Sequence, residues 1–94
     1  MNRLEIIYSA KAVKFIEKNK HLISFEDTDK LIVNAIKRLM GEYPKIDLVK
    51  MKGKYTNHYR IRKGGIRIIF YLEFGYIRKV IVEDIDHRGD IYKK

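Results

Sequence analysis

Residues 59–70 read YRIRKGGIRIIF and predict a β-hairpin. On each side of the paired glycines, apolar and basic residues alternate, which is typical of a strand with two different faces. Gly64-Gly65 predicts a two-residue turn, because glycine adopts the positive φ angles of the primed turns at little cost. Such a turn fixes the strand register, so we predict that Arg62 lies opposite Arg67 and Ile61 opposite Ile68.

The predicted hairpin has one apolar and one basic face. The apolar face, directed toward helices, consists of Tyr59, Ile61, Ile68 and Phe70, and the basic face consists of His58, Arg60, Arg62 and Arg67. Residues 50–67 contain seven basic residues and no acidic one, so the segment itself cannot neutralise the opposed arginines. Phosphate bound by the arginine forks would neutralise them. The alternative is an edge strand that solvated charges protect against aggregation.

Upstream of the hairpin, the pattern predicts one strand and two helices. Alternation over residues 2–8 predicts the strand, and Ser9 is then placed to cap a short helix that ends near Asn19. Ser24, with Asp27 three residues later, predicts a second helix start. An apolar residue recurs every three or four positions from Leu31 to Met40, and Gly41 and Pro44 end the pattern.

Downstream of the helices, the apolar period changes to that of strands. Four segments are predicted as strands, namely residues 48–51, 59–63, 66–73 and 76–85. We therefore predict a single α+β domain over residues 1–94, of order β-α-α-β-β-β, with two N-terminal helices packed on a mainly antiparallel sheet.

Composition restricts the class of function. The 94 residues carry a formal net charge of +9, which favours a polyanionic partner. The chain has no cysteine, which excludes a disulfide framework, a zinc knuckle and a thiol nucleophile, and its 3 histidines are too scattered for a metal site. We expect no metal and no small-molecule cofactor. Neither a signal peptide nor a membrane-spanning segment is recognisable, so a cytoplasmic protein without a membrane partner is expected.

Two further groups of residues are candidates for function. The RNA-binding candidates around the hairpin are Lys50, Lys52, Lys54, His58 and Lys63. Near the C terminus, His87, Arg88 and Tyr92 bring together an imidazole, a guanidinium and a phenol, which can move a proton, bind an oxyanion and stack on a base. A frayed basic tail is the alternative. The acidic run of Glu83, Asp84 and Asp86 is interpreted as solvated charge.

The order and spacing of these segments resemble the RelE/ParE toxin superfamily, and within it the RelE branch of ribosome-dependent mRNA interferases. The resemblance covers nearly the whole chain. It rests on the strand and helix around Ser9, Ala10 and Phe15, the helix ending before Pro44, and the stretches 48–53, 59–62, 66–71 and 87–92.

This resemblance implies cleavage of mRNA in the ribosomal A site by attack of a 2′-hydroxyl on the adjacent phosphate, without a metal. It implies catalytic roles for Arg60, Arg62, Arg67, Arg88 and Tyr92, and a small antitoxin as partner besides ribosome and mRNA. One alternative is the ParE branch, whose members inhibit DNA gyrase without nuclease activity. Another is an RNA-binding module without activity.

The group that accepts the 2′-hydroxyl proton does not follow from the resemblance, because arginine stays protonated in proteins and is a poor base. We expect no carboxylate on the basic face, so we predict that His87 transfers the proton. This requires the last strand to lose regular geometry by Asp86, because neighbouring strand residues point to opposite faces. We also expect that Arg62→Ala or Arg67→Ala removes toxicity and leaves the fold intact or slightly stabilised, since a like-charge contact disappears.

Overall fold

The computed structural model describes residues 4–53, 57–73 and 78–87. Its elements are β1 (Leu4–Tyr8), α1 (Ala10–Lys18), α2 (Phe25–Leu39), β2 (Asp47–Lys50), β3 (His58–Lys63), β4 (Ile66–Glu73) and β5 (Arg78–His87). The predicted α+β class, with both helices preceding the main sheet strands, is confirmed. All four strand segments predicted after the helices form strands, so the complete order is β-α-α-β-β-β-β.

The five strands form one sheet of order β1-β5-β4-β3-β2. β1 pairs in parallel with β5, and every other neighbouring pair is antiparallel. The predicted register of the β3–β4 hairpin is confirmed, with Arg62 opposite Arg67 and Ile61 opposite Ile68. Both hairpin strands lie inside the sheet, between β5 and β2, so the edge-strand interpretation of their charges is wrong.

Both predicted helix caps are present. The Ser9 hydroxyl accepts a hydrogen bond from the Ala12 amide at 3.0 Å, and Ser24 and Asp27 form a reciprocal capping box at the start of α2. The structure assigns the end of α2 to Leu39, before the predicted breakers. No helix in the described ranges is long and apolar enough to cross a membrane.

The core lies between the two helices and one face of the sheet. Its largest fully buried side chains come from the hairpin, from β5 and from the helices, and they include Phe70, Ile61, Ile68, Val80, Val82, Ile16 and Ile32. The predicted apolar face of the hairpin therefore does pack toward the helices. This packing leaves the opposite face of the sheet, with its basic side chains, uncovered by either helix.

One buried polar contact joins β1 to α2. The Tyr8 hydroxyl donates a hydrogen bond to the Asp29 carboxylate at 2.5 Å, and the Tyr8 ring meets Phe25 edge to face. Burial, together with the bond to Asp29, raises the pKa of the Tyr8 phenol. The phenol therefore stays protonated and remains a donor at neutral pH.

Candidate nucleic-acid interface

The candidate site is the sheet face opposite the helices, here called the arginine face and defined by His58, Arg60, Arg62 and Arg67. Alternation along β3 and β4 places these four residues on one side, as predicted, because Ile61 and Ile68 between them are buried in the core. The side chains of Arg60 and Arg67 are only 16% and 30% exposed. The guanidinium groups therefore lie against the sheet rather than extending into solvent.

Carboxylates share this face, so the expectation that none would do so is wrong. Arg67 donates two hydrogen bonds to Asp86 on β5, from Nε at 3.1 Å and from Nη2 at 2.7 Å. Arg60 donates from Nη2 to Asp47 on β2 at 3.2 Å. These acids are remote from the hairpin in sequence, and the sheet order brings their strands to either side of it. The two arginines are thereby held in fixed positions.

Arg62 differs from the other two arginines. Its Nε is buried and has no hydrogen-bond partner, and no carboxylate pairs with its guanidinium within the described residues. Asp47 is its register partner on β2, but the Asp47 carboxylate bonds to Arg60 instead. In the described part of the chain, Arg62 thus carries a positive charge without a counter-ion, directly opposite Arg67. An anion such as phosphate would relieve both conditions.

His58 lies at the start of β3 on the same face and contacts Glu83 of β5. Its Nε2 is 2.5 Å from Glu83 Oε1, and its ring packs on Tyr71 with the ring centroids 4.9 Å apart. This contact crosses the intervening strand β4. An imidazole in contact with a carboxylate is an arrangement that can move a proton.

The acidic run on β5 is not solvated charge, contrary to the sequence-based interpretation. Each of its carboxylates contacts a cationic group or histidine; the three pairs are Glu83 with His58, Asp84 with Lys11, and Asp86 with Arg67. One sequence signal was available. The buried positions of β5 are Val80, Val82 and Ile85, and their odd final spacing indicates an irregularity that places charged side chains differently from a regular strand.

The predicted RNA-binding lysines do not share one surface. Lys50 lies opposite Tyr59 and Lys63 opposite Ile66, which places both on the helix side of the sheet. Lys63 lines a cavity there with Lys30 and Leu31 of α2. Lys52 is exposed beyond the end of β2, and Lys54 lies outside the described residues. Of the predicted RNA-binding set, the structure brings only His58 to the arginine face.

His87 lies on the helix side of the sheet, away from the arginine face. β5 continues in regular pairing to His87, which lies opposite Ile66, so the strand does not end by Asp86 as its predicted role required. The imidazole covers the hairpin turn, since a Cβ built on Gly65 would lie 2.8 Å from its Nε2. Arg88 and Tyr92 lie outside the described residues. Across the described ranges, no cluster of three or more His, Asp or Glu is placed to hold a metal.

The fold was compared with known proteins. No protein-family model matches the sequence, and no curated protein matches it. Among solved structures, the DinJ-YafQ toxin-antitoxin complex of E. coli has a TM-score of 0.64 at 12% identity, over 98% of this chain and 99% of the matched one. A YafQ mutant from E. coli has a TM-score of 0.62 at 11% identity, over 96% and 99% of the two chains. The RelB-RelE antitoxin-toxin complex of Methanococcus jannaschii has a TM-score of 0.52 at 27% identity, over 92% and 94%.

These similarities extend over nearly the full length of each matched chain, and they agree with the element order and sheet described above. The matched structures are toxins of toxin-antitoxin systems or complexes that contain them. The protein therefore has the fold of the RelE/YafQ toxin superfamily.

Proposed function

We propose that this protein is the toxin of a toxin-antitoxin pair and that it cleaves mRNA on the ribosome. The similarity to solved toxin structures supports the toxin role. The observation that carries the nuclease is the pairing of Arg62 with Arg67 on an uncovered sheet face, with no carboxylate on Arg62 in the described residues. A site of this kind attracts a phosphate in its ground state and more strongly when additional negative charge develops on it.

In the proposed reaction, the 2′-hydroxyl of one nucleotide attacks the adjacent phosphate, which leaves a cyclic phosphate and a 5′-hydroxyl. The phosphorane that forms carries more negative charge than the substrate. Arg62 donates to it directly, while Arg60 and Arg67 are held by Asp47 and Asp86 and contribute positive charge from fixed positions. Donors that are already oriented stabilise a transition state without reorganising during the reaction.

The late residues complete the proposal on the strength of sequence resemblance alone. Arg88 is assigned to the leaving 5′-oxygen, and Tyr92 is assigned to stacking on a base and orienting it. No metal and no cofactor takes part in the proposed reaction. The antitoxin is proposed to cover the arginine face with acidic residues, because these would replace the phosphates that Arg62 otherwise attracts.

The test is primer extension on translated mRNA after expression of the wild-type protein and of two single variants. We expect cuts within codons for the wild type and a loss of about a hundredfold or more in Arg62→Ala. Arg38→Ala is the matched control, because Arg38 is exposed at the end of α2 on the helix side and should cleave like the wild type. Intact mRNA together with trapped gyrase-DNA complexes would instead identify an inhibitor of gyrase.

A further inference from the structure

A β-bulge in β5 places Glu83 in an unusual position. Ile69 pairs with Asp84 and Phe70 pairs with Val82, so Glu83 between them has no partner on β4. Bulges change the direction of a side chain and are enriched near active sites. Here the bulge allows the Glu83 carboxylate to reach across β4 to His58 on β3.

The bulge is held by the start of α1. The Ser9 hydroxyl donates to the Glu83 carbonyl at 2.7 Å and accepts from the Ala12 amide at 3.0 Å, and the Ser9 amide donates to the Val82 carbonyl at 3.0 Å. One helix cap therefore also fixes the backbone that carries Glu83. A carboxylate with its backbone fixed in this way can orient a partner side chain.

The His58 ring is fixed on two sides. Glu83 Oε1 lies 2.5 Å from Nε2, and the Tyr71 ring packs against the imidazole. With the carboxylate ionised and the imidazole neutral, Nε2 carries the proton and donates it to Glu83, which leaves Nδ1 as the basic nitrogen. This is the tautomer that a general base needs, and the carboxylate also stabilises the imidazolium that forms after proton transfer.

His58 is also close to the proposed phosphate site. His58 and Arg60 are alternate residues of one strand, so their Cα atoms are about 7 Å apart on the same face. The attacking oxygen and the phosphorus of a reactive nucleotide lie within about 3.5 Å of each other. One nucleotide step can therefore place its 2′-hydroxyl at His58 and its phosphate at the arginines.

Resting on the proposed function, we propose that His58 is the general base of the cleavage reaction and that Glu83 is its positioning residue. The 2′-hydroxyl proton passes to Nδ1 of His58 as the O2′–P bond forms. The P–O5′ bond breaks, the 5′-oxygen takes a proton from water, and the imidazolium returns its proton to water. Atoms and charge balance without another reactant, and His87 on the far side of the sheet is not required.

The test is single-turnover cleavage of mRNA on programmed ribosomes across the pH range in which histidine titrates. We expect His58→Ala to cleave about a hundredfold more slowly than the wild type, with the histidine limb of the pH profile abolished and added imidazole restoring part of the rate. His58→Gln is a second variant that keeps the size of the side chain, and it should show the same loss. His21→Ala is the matched control, because His21 is exposed between α1 and α2.

The role of Glu83 is tested by a double-mutant cycle. Glu83→Gln should lower the rate about 10- to 100-fold, as expected for a group that orients a functional histidine. The same change in a His58→Ala background should cost almost nothing further, because the two residues act as a unit. Circular dichroism and thermal melts of each variant show that the fold is kept. Additive losses would overturn the role of Glu83.

Two results separate failure of this inference from failure of the proposed function. If the wild type cleaves and folded His58 variants keep its rate and pH profile, His58 is structural and the inference is overturned. A slow His58→Ala with an unchanged pH profile would also overturn it. If the wild type leaves ribosome-bound mRNA intact, the proposed function itself is wrong.

Discussion

Arg62 and Arg67 face each other across the hairpin, yet their replacement should affect stability in opposite directions. Arg67 makes two charge-assisted hydrogen bonds to Asp86, and each side chain is 30% exposed. Hydrogen bonds to charged groups contribute about 1.5–3 kcal/mol, and partial exposure reduces this, so we expect Arg67→Ala to lower the free energy of unfolding by about 1–2 kcal/mol. For a domain of this size, that corresponds to a fall in Tm of roughly 4–16 °C.

Arg62→Ala removes a charge that has no carboxylate partner among the described residues and lies opposite another cation. Removing a like-charge contact across strands stabilises by about 0.2–1 kcal/mol, so stability should stay constant or rise slightly. The sequence-based expectation that both variants keep full stability therefore holds for Arg62 only. Both variants should lose toxicity.

The assay is urea denaturation followed by circular dichroism at low and high salt, where the Arg67→Ala deficit should shrink as salt screens the lost ion pair. Asp86→Ala and the double variant complete a cycle whose coupling energy isolates the pair. The reasoning is refuted if Arg67→Ala is as stable as the wild type, or if Arg62→Ala is the less stable of the two.

Two further predictions concern the basic charge and the hairpin turn. RNA affinity without the ribosome should fall steeply with salt, with a log-log slope of about −0.7 per phosphate neutralised, as measured by fluorescence anisotropy; affinity that ignores ionic strength would count against the arginine face as the RNA surface. Gly65→Ala should destabilise the hairpin because its Cβ would lie 2.8 Å from the His87 imidazole, and His87→Ala should remove most of that penalty in the double variant while keeping the wild-type cleavage rate. An undiminished penalty in the double variant, measured by thermal melts, would show that His87 does not cover the turn.

The sequence alone determined the features that depend on short range. Alternation of apolar and basic residues around a two-glycine turn predicted the hairpin register pair by pair, and with it the side of the sheet on which Arg60, Arg62 and Arg67 lie. Hydroxyl groups before two apolar stripes predicted both helix caps at Ser9 and Ser24. Turn geometry, strand alternation and capping act between residues that are close in the chain, so a local pattern is sufficient to read them.

The roles of the two turn glycines were only partly predictable. Gly64 has a φ of 59°, as expected for this turn. Gly65 admits the His87 imidazole, which arrives from a strand more than twenty residues later. A sequence pattern around the turn contains no information about that contact.

Only the tertiary structure decided which groups accompany the arginines. The sheet order places β5 and β2 beside the hairpin, so Asp86 binds Arg67, Asp47 binds Arg60, and Arg62 is left without a carboxylate among the described residues. The bulge at Glu83 then selects His58 instead of His87 as the histidine on this face. Strand neighbours are chosen by the packing of the whole chain around one core, and a single inserted residue changes which side chains meet, so neither result could be read from local alternation.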